Sequence, residues 1–273
     1  MDSYTELNKL IGNSLQFNFI DGMVSEITSP HDTDWRDMPW TVIVQLEKGD
    51  GEVEFANPEK IIPINEGDCI VTNRRHRIRT TGKTITRWGH YQFLVLENTD
   101  FLSLIDFNET LSGTTSQRIG ELCEQIGKTS ISDDVNLSGV VDRKKLGYEL
   151  LKIILDNSQV KANANEILLR SQRLAPTLSY LEDHYDTNVT VEDLAKTVYL
   201  SVPRFYLVFK ETVGMPPLEY VQRLRLQKSL ELLLVTDLTI NEIADRVGYK
   251  DQFHYSKRFK KLYGMSPSAY RQK

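Results

Sequence analysis

The sequence predicts an α+β chain of more than one domain, on three observations. Short apolar segments separated by Gly-containing turns recur at roughly ten-residue spacing from 17 to 107. From residue 116 the apolar spacing lengthens to that of helices, and the last hundred residues carry one helical pattern twice. The 273 residues suit two domains of ordinary size, and 40% hydrophobic against 26% charged residues is a soluble composition with material for a core. No stretch approaches the ~18 consecutive apolar residues of a membrane span. The start, MDSYTELNKLIGN, lacks the basic-then-apolar order of a secretory leader. Two cysteines, Cys69 and Cys123, cannot form a four-thiolate zinc site or a disulfide framework, so a reducing cytoplasm is the expected setting.

The first strands are TVIVQL (41–46) and EVEFA (52–56), joined by Gly49-Asp50-Gly51 in a hairpin pattern. IIPI (61–64), CIVT (69–72), HRIRT (76–80) and ITRW (85–88) follow, with turns at Asn65-Glu66-Gly67-Asp68 and Thr81-Gly82-Lys83. YQFLVLE (91–97) and FLSLIDF (101–107) close a series expected to form a sandwich or barrel. SQRIGELCEQIG (116–127) and DRKKLGYELLKIILDNS (142–158) then read as amphipathic helices. Leu146, Leu150, Ile153 and Ile154 fall on one stripe of the second, which makes it the expected homodimer surface. NSQVKANAN (157–165) reads as a linker or frayed helix end, and everything from 174 reads as helix.

The net charge of −5 argues at first against a nucleic-acid partner, but the charge is unevenly placed. Residues 174–222 hold three Lys and Arg against seven Asp and Glu, whereas 223–273 hold eleven against five. A local basic patch is what phosphate binding requires.

The duplication is explicit. FKETVGMPPLEY (209–220) realigns on FKKLYGMSPSAY (259–270) at an offset of 50, and TVEDLAKTV (190–198) on TINEIADRV (239–247) at an offset of 49. In each copy a threonine, Thr190 or Thr239, stands three residues before an acid, Asp193 or Glu242, the pattern of a capping box. A short helix follows with Leu194-Ala195 or Ile243-Ala244 at its centre, where a small residue lets a second helix cross closely. After a tight turn, the second helix carries Phe205, Val208 and Phe209 inward, or Tyr255 and Phe259. Helix, turn and crossing helix is helix-turn-helix geometry. PPLEYVQRLRLQKSLELLLV (216–235) is a long helix between the copies.

Over about 174–273 these residues strongly resemble the AraC/XylS family of bacterial transcription regulators. The resemblance rests on DLAKTV and EIADRVGY, both FK-Gly-Pro motifs, the RLRLQKSLELLL helix and the spacing between them. It implies a cupin-like β-barrel sensor over 1–112, a helical linker and dimerisation region over 113–170, and a tandem helix-turn-helix domain over 171–273. The implied function is sequence-specific transcription regulation, as an activator acting with RNA polymerase and controlled by a small-molecule effector. No cofactor is expected.

On the second recognition helix Gln252, Phe253, Ser256, Lys257 and Lys260 share the face opposite Tyr255 and Phe259. Gln252 suits an adenine edge, Lys257 a guanine or phosphate, and Phe253 a thymine methyl. In the first copy the resemblance puts Pro203, Tyr206 and Leu207 at base-facing positions, with Arg204 alongside. The family commonly has arginine where Leu207 stands and glycine where Tyr199 stands, so the first copy is expected to position the protein more than to read bases. Arg223, Arg225, Lys210, Lys260 and Lys261 are the candidate phosphate contacts, together with Lys228, Arg258, Arg271 and Lys273.

The strand-rich half offers Trp35, Trp40, Arg74, His76, Arg79, Trp88, His90 and Gln92 as lining for an effector pocket, suited to a sugar or equally to a ring-containing acid. His31, His76 and His90 are scattered, with no His-x-His such as a metal cupin needs. A metal-dependent cupin enzyme fused to a DNA-binding domain is therefore the lesser alternative. An effector-independent regulator controlled by a protein partner is the other.

Overall fold

A computed structural model describes residues 3–38, 40–96, 99–129 and 137–272, with side chains from residue 8 onward. The chain divides into two compact units, Met1–Ala164 and Asn165–Lys273.

The first unit opens with a helix that the sequence reading did not anticipate, α1 (Ser3–Ser14). The strands β1 (Gln16–Ile27), β2 (His31–Asp32), β3 (Thr41–Lys48), β4 (Gly51–Ala56), β5 (Glu59–Ile64), β6 (Cys69–Thr72), β7 (His76–Thr80), β8 (Thr84–Val95) and β9 (Thr99–Asp100) follow. A 3-10 turn (Phe101–Leu104) leads to β10 (Ile105–Phe107) and β11 (Thr110–Leu111), then α2 (Gly113–Lys128), α3 (Leu137–Asp156) and β12 (Ser158–Val160).

These strands do not close a barrel. One sheet runs β1-β8-β3-β6-β11 with β9 beside β8, a second runs β2-β7-β4-β5, and β10 pairs with β12. The expected β3–β4 hairpin is therefore a crossing: β3 pairs with β6 and β8, whereas β4 pairs with β5 and β7. Leu46 and Ile70 of the larger sheet pack against Val53, Phe55, Ile64 and Ile78 of the smaller one. The opposite face of the larger sheet presents Phe17, Ile43, Cys69, Val71, Tyr91 and Phe93 to α2 and α3. Alternation along each strand, with neighbours on opposite faces, supplies both cores at once.

Three other expectations are corrected. ITRW and YQFLVLE are one strand, because Gly89 continues the pairing of β8 with both neighbours. A Cβ there would stand 2.1 Å from the Tyr91 hydroxyl, so the glycine serves a close ring packing and breaks nothing. FLSLIDF is a 3-10 turn capped by the Asp100 carboxylate, followed by the short β10. The segment 157–165 is tied down: β12 pairs with β10, and the Lys161 ammonium donates to Ser103 O at 2.9 Å.

The apolar stripe of α3 packs within the first unit. Leu150 and Ile154 are fully buried against Phe17, Ile119 and Leu122, with Leu146 and Ile153 packed beside them. Full burial of Leu150 and Ile154 gains roughly 1.5–3 kcal/mol each, so these two belong to the unit's own core, while Leu146 and Ile153 stay half-buried at its edge.

The second unit is all helix: α4 (Ala164–His184), α5 (Val191–Thr197), α6 (Val202–Val213), α7 (Pro217–Val235), α8 (Ile240–Arg246), α9 (Gln252–Tyr263) and α10 (Pro267–Arg271). The segment 113–170 accordingly divides, with α2 and α3 in the first unit's core and α4 heading into the second unit. Leu174, Leu178 and Leu181 of α4 pack with Leu194, Ala195, Phe205, Phe209, Val221 and Leu224 around the first repeat. The second repeat has an aromatic core, in which Phe259 lies 5.7 Å from Tyr255, 4.4 Å from Tyr263 and 5.7 Å from Tyr270. Among the described residues no helix is long and apolar enough to cross a membrane.

Candidate nucleic-acid interface

Both repeats start their short helices with the capping box that the sequence spells. Thr190 Oγ1 accepts from Asp193 N at 3.2 Å while the Asp193 carboxylate accepts from Thr190 N at 3.3 Å. Thr239 Oγ1 accepts from Glu242 N at 3.2 Å, and Glu242 accepts in return from Thr239 N at 2.7 Å. The Thr190 and Thr239 hydroxyls also donate to these carboxylates, at 2.6 and 2.7 Å, and with the backbone N–H bonds they hold the Asp193 and Glu242 carboxyls below their ordinary range. Each box satisfies two donors that the first turn of a helix otherwise leaves open. In both copies a left-handed glycine, Gly214 or Gly264, stops the second helix, and a proline opens the next one.

The second helix of the second repeat, α9, is held at its N-terminus by Asp251, whose carboxylate accepts from Phe253 N and His254 N at 3.0 Å each. Tyr255, Phe259, Leu262 and Tyr263 face the core. Phe253, Lys257 and Lys260 are exposed, and Gln252 and Ser256 are half-buried nearer the core side. Phe253 keeps 84% of its surface in solvent, a large apolar ring with nothing of its own chain covering it. Beside this face, Arg258 Nε lies 3.4 Å from His254 Nε2, and Lys261 is exposed.

The matching helix α6 exposes Pro203, Arg204, Tyr206, Leu207 and Lys210, while Phe205 and Phe209 are buried. In its turn Tyr199 takes a left-handed φ of 55° and is 97% exposed. The equivalent residue of the second copy is Gly248, at φ 85°. The first copy therefore spends a strained, solvent-facing tyrosine where the second has glycine.

Two phosphate candidates are placed elsewhere by the structure. Arg225 is not turned to solvent: its guanidinium donates to the carbonyls of Tyr185, Thr187 and Gly248, which corrects its reading as a phosphate contact. Arg223 has a side chain only 15% exposed and lies 3.9 Å from the exposed carboxylate of Glu219, one turn earlier on α7. Lys228, on the same helix, pairs with Glu182 at 2.7 Å. The sequence shows cations at these positions but not their carbonyl and carboxylate partners, up to 46 residues away in the case of Lys228 and Glu182.

In the first unit the effector candidates separate into two groups. Trp88, His90 and Gln92 alternate with Tyr91 and Phe93 along β8, so they occupy the sheet face that carries Val44 and Leu46. His90 sits between two indoles, 5.1 Å from Trp88 and 5.7 Å from Trp40, and Trp88 Nε1 donates to Ser25 Oγ at 2.8 Å. His76 is buried on the facing sheet, with Nδ1 2.8 Å from Arg74 O. Burial lowers its pKa, and the carbonyl partner sets the neutral tautomer with hydrogen on Nδ1.

Arg74 and Trp35 stand apart from these residues. The Arg74 guanidinium is bound by Glu109 at 2.6 Å and by the carbonyls of Asn57 and Pro58. Trp35 lies beneath Arg75, at 5.4 Å from ring centre to guanidinium, and Arg79 pairs with Glu52 and Glu54. Arg36, half-buried and bridged through its backbone to His76, was not found by sequence reasoning, and no pattern in the sequence marks it. Among the described residues no three His, Cys, Asp or Glu side chains gather as metal ligands would.

A family model described as a helix-turn-helix domain matches residues 194–273. The chain is 26% identical over 226 residues to the lactose operon transcription activator of Staphylococcus xylosus, covering 81% of this chain and 80% of that protein. It is 34% identical over 143 residues to the raffinose operon transcriptional regulatory protein RafR of Pediococcus pentosaceus, covering 52% of this chain and 49% of that one. The HTH-type transcriptional activator RhaS of Escherichia fergusonii is 32% identical over 158 residues, with 58% and 55% covered. The chain thus spans about half the length of the last two relatives. In fold it is similar to the crystal structure of ToxT from Vibrio cholerae O395, with a TM-score of 0.60 at 12% identity over 95% of this chain and 98% of that one.

Proposed function

We propose that the chain is a transcription activator of the AraC/XylS type, which acts by docking both repeats of its second unit in successive major grooves of one duplex. The observation that carries this reading is the face of α9, where exposed Phe253 stands among Gln252, Ser256, Lys257 and Lys260. Gln252 then reads an adenine edge, Phe253 packs on a thymine methyl, and Lys257 meets guanine acceptors or phosphate. Lys210, Lys260 and Lys261 take backbone phosphates. Pro203, Arg204, Tyr206 and Leu207 of α6 give the first repeat a weaker base contact that mainly fixes register.

The effector of this reading is a sugar held against Trp40, Trp88, His90 and Gln92, with His76 on the facing sheet. Two relatives named for the lactose and raffinose operons support that class, as does the indole-rich sheet face. Binding there changes DNA affinity only through a difference between the two states of the protein. The regulator acts as a homodimer at its promoter and engages RNA polymerase. Because Leu150 and Ile154 of the α3 stripe are buried, the dimer contact falls to the exposed start of α3, where Leu137, Val140 and Val141 face solvent.

The test is selection of bound sequences from random duplex DNA by the full chain, alongside Phe253→Ala and Gln252→Ala. One motif spanning two major grooves is expected, with information lost at separate positions in the two variants. Unchanged motifs in both variants would remove α9 as the reader. Thermal unfolding with lactose, raffinose and their component sugars tests the effector class, which fails if none raises the midpoint of the first unit.

A further inference from the structure

Two repeats bound to one duplex are only as selective for the distance between their half-contacts as the protein is stiff between them. The junction between the repeats is built around one side chain in the middle of α7. Arg225 Nε donates to Tyr185 O at 2.6 Å and Nη2 to Thr187 O at 2.6 Å, both in the loop that follows α4 and leads into the first repeat. Its Nη1 donates to Gly248 O at 2.8 Å, in the turn between α8 and α9 of the second repeat. The guanidinium also stands 5.9 Å from the centre of the Tyr249 ring.

A second observation marks the same place. A Cβ on Gly248 would lie 2.4 Å from Asp186 O, so the loop of one repeat and the turn of the other touch backbone to backbone. Arg225 therefore ties together carbonyls contributed by both repeats, and a planar fork is the group that can do this. Lysine offers a single nitrogen and cannot span the three acceptors.

We propose that Arg225 is a positioning residue that fixes the spacing and angle between the recognition helices α6 and α9, and thereby selects the number of base pairs between the two half-contacts. The proposal rests on the reading that both repeats bind one duplex. Inserting one base pair moves the second half-contact by about 3.4 Å and turns it by about 35°. A clasped pair cannot follow that displacement, whereas a loosened pair can.

The experiment uses the full chain on its selected operator and on two derivatives with one base pair added or removed between the half-contacts. Wild type, Arg225→Met and Arg225→Lys are each titrated over a range of salt. Wild type is expected to bind the altered duplexes at least about tenfold more weakly, and both variants to discriminate by less than about threefold with an unchanged salt slope. Far-UV circular dichroism separates a loosened junction from an unfolded one, and Arg225→Lys, with stem and charge retained, carries the test if Arg225→Met does not fold.

A salt slope lowered by about one in Arg225→Met, with spacing preference intact, would make Arg225 a phosphate contact and overturn the proposal. Spacing preference retained in both variants, or absent in wild type, also overturns it. If wild type enriches no sequence at all, the reading of the two repeats as DNA readers fails first and this inference fails with it.

Discussion

Gly214 and Gly248 have nearly the same backbone, φ 82° and 85°, and different surroundings, so alanine at each position separates two energies. Nothing lies within 4 Å of a Cβ built on Gly214. Alanine there carries only the cost of a left-handed L-residue, about 1 kcal/mol. At Gly248 the same Cβ meets Asp186 O at 2.4 Å, Asp186 C at 2.8 Å and Asp186 Cα at 2.9 Å, all main-chain atoms that cannot rotate aside. Overpacking of that kind adds roughly 1–3 kcal/mol, for a total of about 2–4 kcal/mol. For a domain of about a hundred residues 1 kcal/mol moves the thermal midpoint by about 4 °C, so the expected losses are about 4 °C and about 8–16 °C. The assay is thermal unfolding of the full chain followed at 222 nm. Trp35, Trp40 and Trp88 all lie in the first unit, so tryptophan fluorescence follows that unit and its transition should stay in place. Equal shifts for the two variants would refute the close approach of the 185–187 loop to the second turn.

Tyr199→Gly should stabilise the second unit by about 0.5–1 kcal/mol, because the tyrosine holds φ 55° with almost no packing to lose; a lowered 222 nm midpoint would contradict the strain. Leu150→Ala should cost the first unit about 2–5 kcal/mol by fluorescence and leave the association state in sedimentation unchanged; dissociation at unchanged stability would make the α3 stripe a dimer interface. His76 has a pKa lowered by burial from its ordinary 6.5, so the unfolded chain takes up this proton first as the pH falls. Its contribution is present above about pH 6.5 and is lost as pH falls toward the folded value; His76→Gln should flatten the slope of first-unit stability below pH 6.5, and an unaltered slope would place the titration elsewhere.

What the sequence made legible was local. The capping boxes at Thr190 and Thr239, the stop at Gly214 and the proline-opened α7 are each decided within four residues of chain, and the duplication states them twice. The face of α9 was legible in part for the same reason: helical spacing sets Phe253 and Lys257 opposite Tyr255 and Phe259, but Gln252 and Ser256 fall nearer the core side, where they are half-buried. Periodicity also showed that Leu150 and Ile154 are buried, but not against what: Phe17 and Ile119 are remote in sequence. Gly89 read as a break because its reason, the ring of Tyr91 over it, is a matter of packing. The crossing at Gly49–Gly51 looked like a hairpin because a turn between two sheets uses the same residues as a turn within one. Arg225 was misread most fully, because an arginine on a basic helix gives no sign that carbonyls on two other segments already hold it.

The central claim, that the two repeats read one duplex together, is tested most directly by hydroxyl-radical footprinting of the full chain on its selected operator. Two protected backbone patches on one face, separated by one helical turn of about 34 Å, are expected. A single patch covering one major groove, or two patches on opposite faces, would contradict it.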